Sequence, residues 1–240
     1  MKKKLISIVL FLMLCLTGCS REEFDQIQEI VEVFTPEDTP ETTSDLSLEE
    51  IPEWDGSSPY VTLDFSWTEG FLEEDWDYGY EFYSDLDSLG RCGVVESLVG
   101  YETMPTEDRG NISSVKPSGW VNHEYEFVDG GYLYNRCHLI GYQLTGENAN
   151  EENLITGTRY MNVEGMLPFE NQIDDYIDET GNHVKYRVTP VFEEDHLVAD
   201  GVLLEAYSIE DSGGLQFRVY CYNVQPGVTI DYETGENWEN

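Results

Sequence analysis

Apolar residues return at Phe169, Ile173, Tyr176 and Ile177, the spacing of one helix face. Pro168 suits the first helical position and Gly181 the stop. Elsewhere the period is two. Val184, Tyr186 and Val188 alternate with Lys185 and Arg187. Leu215, Phe217, Val219 and Cys221 alternate with Gln216, Arg218, Tyr220 and Tyr222. Both runs predict half-buried strands. His123 to Val128 alternates, Asp129-Gly130-Gly131 marks a turn, and Tyr132-Leu133-Tyr134 resumes, which predicts a β-hairpin. Strands, a helix and more strands predict an α+β domain on an antiparallel sheet.

The first residues follow a different pattern. Lys2, Lys3 and Lys4 precede an apolar run from Leu5 to Leu16, broken only by Ser7. That run suits a secretory leader and is short for a membrane span. Leu16-Thr17-Gly18-Cys19 resembles a bacterial lipobox, which implies cleavage before Cys19 and lipid on its sulfur; the plainer reading is an ordinary leader with an incidental Cys. Residues 20–58 hold 13 acids and one Arg, with Pro36-Glu37-Asp38-Thr39-Pro40-Glu41-Thr42-Thr43 as a low-complexity stretch. A short amphipathic run, Phe24 to Phe34, lies within it. The expected organisation is a leader over 1–18, an acidic tether over 19–58 and one domain over 59–240. The expected location is the outer face of the bacterial membrane, with the lipid on Cys19 as anchor.

Charge changes the picture. The 240-residue chain carries 12 Lys+Arg against 49 Asp+Glu, a formal charge of −37. Loss of residues 1–18 would remove three Lys and no acid, giving −40. In bulk composition this is no basic nucleic-acid-binding domain. There is no C-x-x-C or H-E-x-x-H, so a zinc site of those kinds is not expected, and Gly-rich phosphate loops are absent. Cys92, Cys137 and Cys221 permit one disulfide or none, and the sequence does not choose.

The densest polar cluster runs from Tyr134 to Asn171. Asn135-Arg136-Cys137-His138 follows the second predicted hairpin strand, Asn153 and Asn162 come next, and Glu170 falls in the first turn of the helix. Asn162 and Glu170 stand eight apart, a spacing that alone is weak geometry on an α-helix. Cys137 and His138 on one strand would point to opposite faces, which argues against a nucleophile–base dyad. Singly, each residue has a bland explanation: a helix cap for Asn162, a dipole partner for Glu170, a surface ion pair for Arg136.

The ordered string is more specific. Tyr134-Asn135-Arg136-Cys137-His138-Leu139-Ile140-Gly141-Tyr142-Gln143-Leu144, followed by Asn153 to Asn162, resembles the DNA/RNA non-specific endonuclease family, the ββα-metal or His-Me finger group that includes DNA-entry nucleases. Lys116-Pro117-Ser118-Gly119-Trp120 and Tyr222-Asn223-Val224-Gln225-Pro226-Gly227 resemble it too. Its usual Asp-Arg-Gly-His reads Asn-Arg-Cys-His here. The resemblance implies a ββα-metal active-site motif with His138 as general base, Arg136 near the scissile phosphate, and Arg109 as a further phosphate-stabilising residue. It implies Asn162 as the direct ligand of one Mg2+ ion and Glu170 as holder of that ion's water shell. Arg159, three before Asn162, either meets substrate or covers apolar surface. The implied substrates are DNA and RNA, cut with little sequence preference, and no protein partner is evident. The chemistry suits the roles: His offers a base near neutrality, Mg2+ prefers oxygen ligands and keeps its waters, and Arg grips phosphate. The acidity predicts weak substrate binding. The alternative is a surface lipoprotein of the same fold, inactive or nearly so, that binds nucleic acid or a protein.

Overall fold

The computed structural model describes residues 51–240; the leader, Cys19 and the tether up to residue 50 lie outside the described residues. A six-stranded antiparallel sheet carries the domain. Its strands are β1 (Tyr60–Thr62), β2 (Glu81–Tyr83), β3 (Val95–Val99), β6 (Val184–Val191), β7 (Gly201–Ser208) and β8 (Gln216–Tyr222), in the order β1-β8-β7-β6-β3-β2. Inserted between β3 and β6 is a separate two-stranded ribbon, β4 (Tyr134–His138) against β5 (Leu154–Thr158). Helix α1 (Tyr142–Thr145) lies in the connection between these two strands. After β5 the chain enters a π-turn, Met161–Met166, and continues into helix α2 (Leu167–Thr180). A small pair, β9 (Val228–Ile230) and β10 (Asn237–Glu239), closes the chain.

The helix forms where the spacing puts it. Pro168 sits in its first turn, and Gly181 ends it in the left-handed conformation at φ 71°, donating its N–H to Ile177 O. Phe169, Ile173 and Ile177 pack on Val184, Tyr186, Val188, Val202, Leu204, Phe217 and Val219, the inner face of the sheet. This core is the platform on which the ribbon and helix are held.

The outer face corrects the half-buried reading of β6 and β8. Lys185, Arg187 and Arg218 are buried along with their apolar neighbours. The segment before β2 covers them: Trp67, Phe71 and Trp76 gather over Leu98, and Ile51 and Trp54 over Leu203 and Tyr220. Each cation is matched. Arg187 Nε donates to Glu96 Oε1 at 2.5 Å, Arg218 Nε to Glu205 Oε1 at 3.2 Å, and Lys185 Nζ to the carbonyls of Phe71 and Glu74. The alternation was real, but the polar stripe meets partners instead of water. Ile51 and Trp54 also place the start of the folded chain ahead of residue 59, inside the stretch assigned to the tether.

The predicted hairpin forms, but it is shorter than expected. Residues 123–133 make a turn with a single bridge, Glu124 to Tyr132. The ladder breaks because Asn122 substitutes for a partner strand: its Oδ1 accepts from Tyr134 N at 2.8 Å and its Nδ2 donates to Tyr134 O at 2.9 Å. The ladder partner of β4 is β5, with Asn135 opposite Gly157 and His138 opposite Leu154. Cys92, Cys137 and Cys221 are buried and unbridged. Among the described residues no helix is long and apolar enough to cross a membrane.

Candidate active site

Three sequence stretches far apart in the chain fix the ribbon. Asn223 Oδ1 accepts from Thr158 N at 2.8 Å, and its Nδ2 donates to Thr156 O and Ala199 O, pinning β5 to the end of the sheet. Thr156 Oγ1 donates to Ser118 O at 2.7 Å. Asn153, wholly buried, brackets Ile140 with both ends of its carboxamide. Asn153 therefore holds the turn after His138, a structural task.

On this scaffold a cleft of about 850 Å³ opens, lined by Arg109, Arg136, His138, Arg159, Asn162 and Glu170 together with Trp120, Tyr132 and Tyr142. All six residues singled out for chemistry in the domain meet there. Arg109, Arg136 and Arg159 face only Asp129 and Glu170 among the lining acids. Basic groups are thus concentrated at one place on a strongly acidic chain.

His138 ends β4 and is mostly buried. Its Nε2 lies 2.8 Å from Asn148 O. A carbonyl only accepts, so Nε2 carries the proton and Nδ1 carries the lone pair, which accepts from Arg109. Nδ1 stands 3.3 Å from Arg109 Nη2, a group that only donates. Burial pushes the imidazole pKa down to about 4, and Arg109 adds to the fall against the opposing bond to Asn148. At neutral pH the ring is uncharged, and it is less basic than the near-neutral histidine expected from the sequence, because burial disfavours the imidazolium.

Asn162 and Glu170 reach the cleft together through the π-turn. On an unbroken α-helix, residues eight apart are rotated by about 80° and look to different sides. Here Leu167 N–H bonds to Asn162 O, five residues back. The wide turn absorbs one residue, so the pair behaves as if seven apart, about 20° from alignment. Sequence spacing gave no sign of this turn.

Glu170 is buried in the first turn of α2, and its Oε1 has no hydrogen-bond partner. Burial raises its carboxyl to about 7, against the pull of the Gly141 N–H and Arg109. Glycine at 141 is required: a Cβ there would lie 2.8 Å from the carboxylate. An orphaned carboxylate oxygen and a carboxamide in one cleft are hard oxygen donors. They fit a hydrated divalent cation, which would also satisfy Oε1.

The remaining arginines are partly occupied. Arg136 stacks over Trp120 at 4.4 Å and donates from Nε to Val115 O and from Nη2 to Ser113 O, while Nη1 enters neither bond. Arg159 pairs with Asp129 Oδ2 through Nε and Nη2, at 3.0 and 2.7 Å, and sends Nη1 to Asn135. His183 and His196 lie outside the cleft, bound to Glu102 and Glu210 and to Asp200 respectively. With Glu193, His196 and Asp200 form the one compact group of metal-type side chains among the described residues, also away from the cleft.

A strand pair feeding a helix, with imidazole, carboxamide and carboxylate around one cleft, defines a class: the metal-dependent nucleases of the ββα kind. The profile of the DNA/RNA non-specific endonucleases matches residues 72–209, more than half of the chain, and the chain belongs to that family. Among solved structures it is similar to NucA from Streptococcus agalactiae with magnesium bound, at 26% identity over 67% of this chain and 80% of that one, with a TM-score of 0.60. The Sda1 nuclease with bound zinc is similar at 28% identity, over 67% and 82% of the two chains, with a TM-score of 0.60. An extracellular endonuclease at 22% identity, covering 74% and 89%, shares the fold with a TM-score of 0.54.

Proposed function

We propose that this protein is a Mg2+-dependent endonuclease that hydrolyses phosphodiester bonds of DNA and RNA without sequence preference at the outer cell surface. The observation that carries the reading is the placement of His138: Nε2 lies 2.8 Å from Asn148 O, Nδ1 lies 3.3 Å from Arg109 Nη2, and the residue lines the same cleft as Asn162 and Glu170. In this reading Nδ1 takes the proton of the attacking water, and the bond to Asn148 keeps the ring from turning. Arg109 and Nη1 of Arg136 hold phosphate oxygens. Asn162 and Glu170 would hold the cation, which when bound neutralises charge on the phosphoryl and leaving oxygens. Oxygen donors favour Mg2+ over softer ions. By family resemblance the products carry 5′-phosphates. The test is plasmid nicking with and without Mg2+, for the wild type and for His138→Ala. Cutting by the wild type that needs the metal is expected; equal cutting by both proteins would end the proposal.

Substrate attraction should be weak. Of the domain's cations, Lys185, Arg187 and Arg218 are buried behind the sheet, Arg91 pairs with Asp87 and Lys116 is exposed outside the cleft lining, which leaves three arginines in the cleft. Log-affinity should then fall with log-salt with a slope of roughly −2 to −3, since each phosphate contact contributes about −0.9. Measurement on a short duplex between 50 and 200 mM salt checks this, and a slope of about −5 would refute it. Anchoring through Cys19 belongs to the same reading. The lipobox-like Leu16-Thr17-Gly18-Cys19 supports it, and Cys19→Ala should move the protein from the membrane fraction to the medium.

A further inference from the structure

The family's usual string carries glycine where this chain has Cys137, and aspartate where it has Asn135. On β4 these two residues stand two apart and so share a face. Both touch Asn162. Its Nδ2 donates to Asn135 Oδ1 at 3.1 Å, and its Oδ1 lies 3.0 Å from Cys137 Sγ.

A carboxamide has two ends of nearly equal shape and opposite chemistry. A cation ligand must present oxygen; the flipped amide presents two N–H groups and repels the ion. Here the polarity is set from outside. Arg159 only donates, and its Nη1 lies 3.3 Å from Asn135 Oδ1, which identifies that atom as the oxygen. Arg159 is in turn held by Asp129. Asn135 can therefore accept from Asn162 Nδ2 and not from its oxygen. The other end of Asn162 then faces the thiol, which donates S–H to Oδ1. Such an oxygen has two lone pairs, and the S–H takes one.

The thiol is fitted to this task by its packing. Cys137 is wholly buried, with Met166 Sδ at 3.5 Å. Gly157 lies across the ribbon, and a Cβ there would fall 2.6 Å from the Cβ of Cys137. A bare backbone at 157 is what admits a side chain at 137.

We infer that Cys137, acting with Asn135, is a positioning residue that locks the carboxamide of Asn162 with its oxygen available to the cation. The inference rests on the reading of Asn162 as metal ligand. It follows that the two departures from the family string act as a matched pair rather than as a decayed motif.

The experiment measures Mn2+ binding by electron paramagnetic resonance, with displacement by Mg2+, on the full chain and its variants. Cys137→Ala removes the donor and should weaken the cation about tenfold, the range known for groups that orient a ligand. Cys137→Ser keeps a donor and should stay within about threefold of wild type. Asn135→Ala releases the opposite end and should also weaken binding, which keeps the test decisive if Cys137→Ala fails to fold. At saturating cation the turnover of the folded Ala variant should return most of the way to wild type, whereas a merely distorted ribbon lowers turnover at every concentration. Wild-type affinity in both Ala variants, alongside lost binding in Asn162→Ala, overturns this inference and leaves the nuclease reading standing. Unchanged binding in Asn162→Ala overturns both.

Discussion

Replacing His138 by Ala is expected to slow DNA cleavage by about 10²–10⁴-fold, the usual contribution of a positioned general base. Binding of a short duplex should change little, because Arg109 and Arg136 remain. The pH profile gives the sharper test. Burial and Arg109 hold the imidazole pKa down to about 4. At saturating Mg2+, which keeps Glu170 ionised, the acid limb of kcat/KM should therefore fall near pH 4–5. An unperturbed histidine would lose activity near pH 6.5. Stability carries the same sign. Between about pH 6.5 and 4 the unfolded chain binds the proton that folded His138 refuses, so the fold weakens as pH drops through that window and levels below it. An acid limb at 6.5 that vanishes in no variant would refute the assignment of the base.

Parts of this molecule were legible in the sequence because their causes are local. Helix α2 follows from Phe169, Ile173 and Ile177 with Pro168 and Gly181 at its ends, all within one short stretch. The alternation of β6 and β8 survived for the same reason. What escaped depends on partners distant in the chain. Strands β3 and β7 are buried on both faces, so Val95-Glu96-Ser97-Leu98-Val99 shows no period of two. The cover that turns Lys185 and Arg187 into buried cations comes from residues more than a hundred positions earlier. The expected hairpin stops at one bridge because a side chain, Asn122, pairs with Tyr134 where a strand would.

The site divides in the same way. The residues of the ordered string from Tyr134 to Asn162 do line one cleft, yet their hydrogen bonds were unreadable. That Arg136 spends two nitrogens on Val115 and Ser113, and Arg159 two on Asp129, depends on loops without periodic pattern. The alignment of Asn162 with Glu170 depends on a π-turn that no residue in 161–166 announces.

The second large effect is expected at Glu170, and it carries opposite signs for activity and stability. A buried carboxyl whose Oε1 lacks a partner is a cost to the fold, about 1–3 kcal/mol for an unmade hydrogen bond. Its pKa near 7 reports the same cost, since burial is the leading cause. Among the described residues, the Gly141 N–H and Arg109 are the groups that offset it. A divalent cation with its waters would. Glu170→Met has similar bulk and no charge, and it should melt higher than wild type in metal-free buffer, by roughly 1 kcal/mol or more of added stability. The same variant should cut DNA about 10²-fold more slowly or worse, as expected for loss of a group that orients the cation. Wild type should gain melting temperature as Mg2+ is added, since an ion held only by the folded state would stabilise it, and the variant should lose most of that gain. Parallel thermal scans with and without Mg2+ decide the matter. A Glu170→Met protein that is less stable than wild type without metal, or equally stabilised by it, would mean that this carboxylate is held for the fold and has no part in holding the ion.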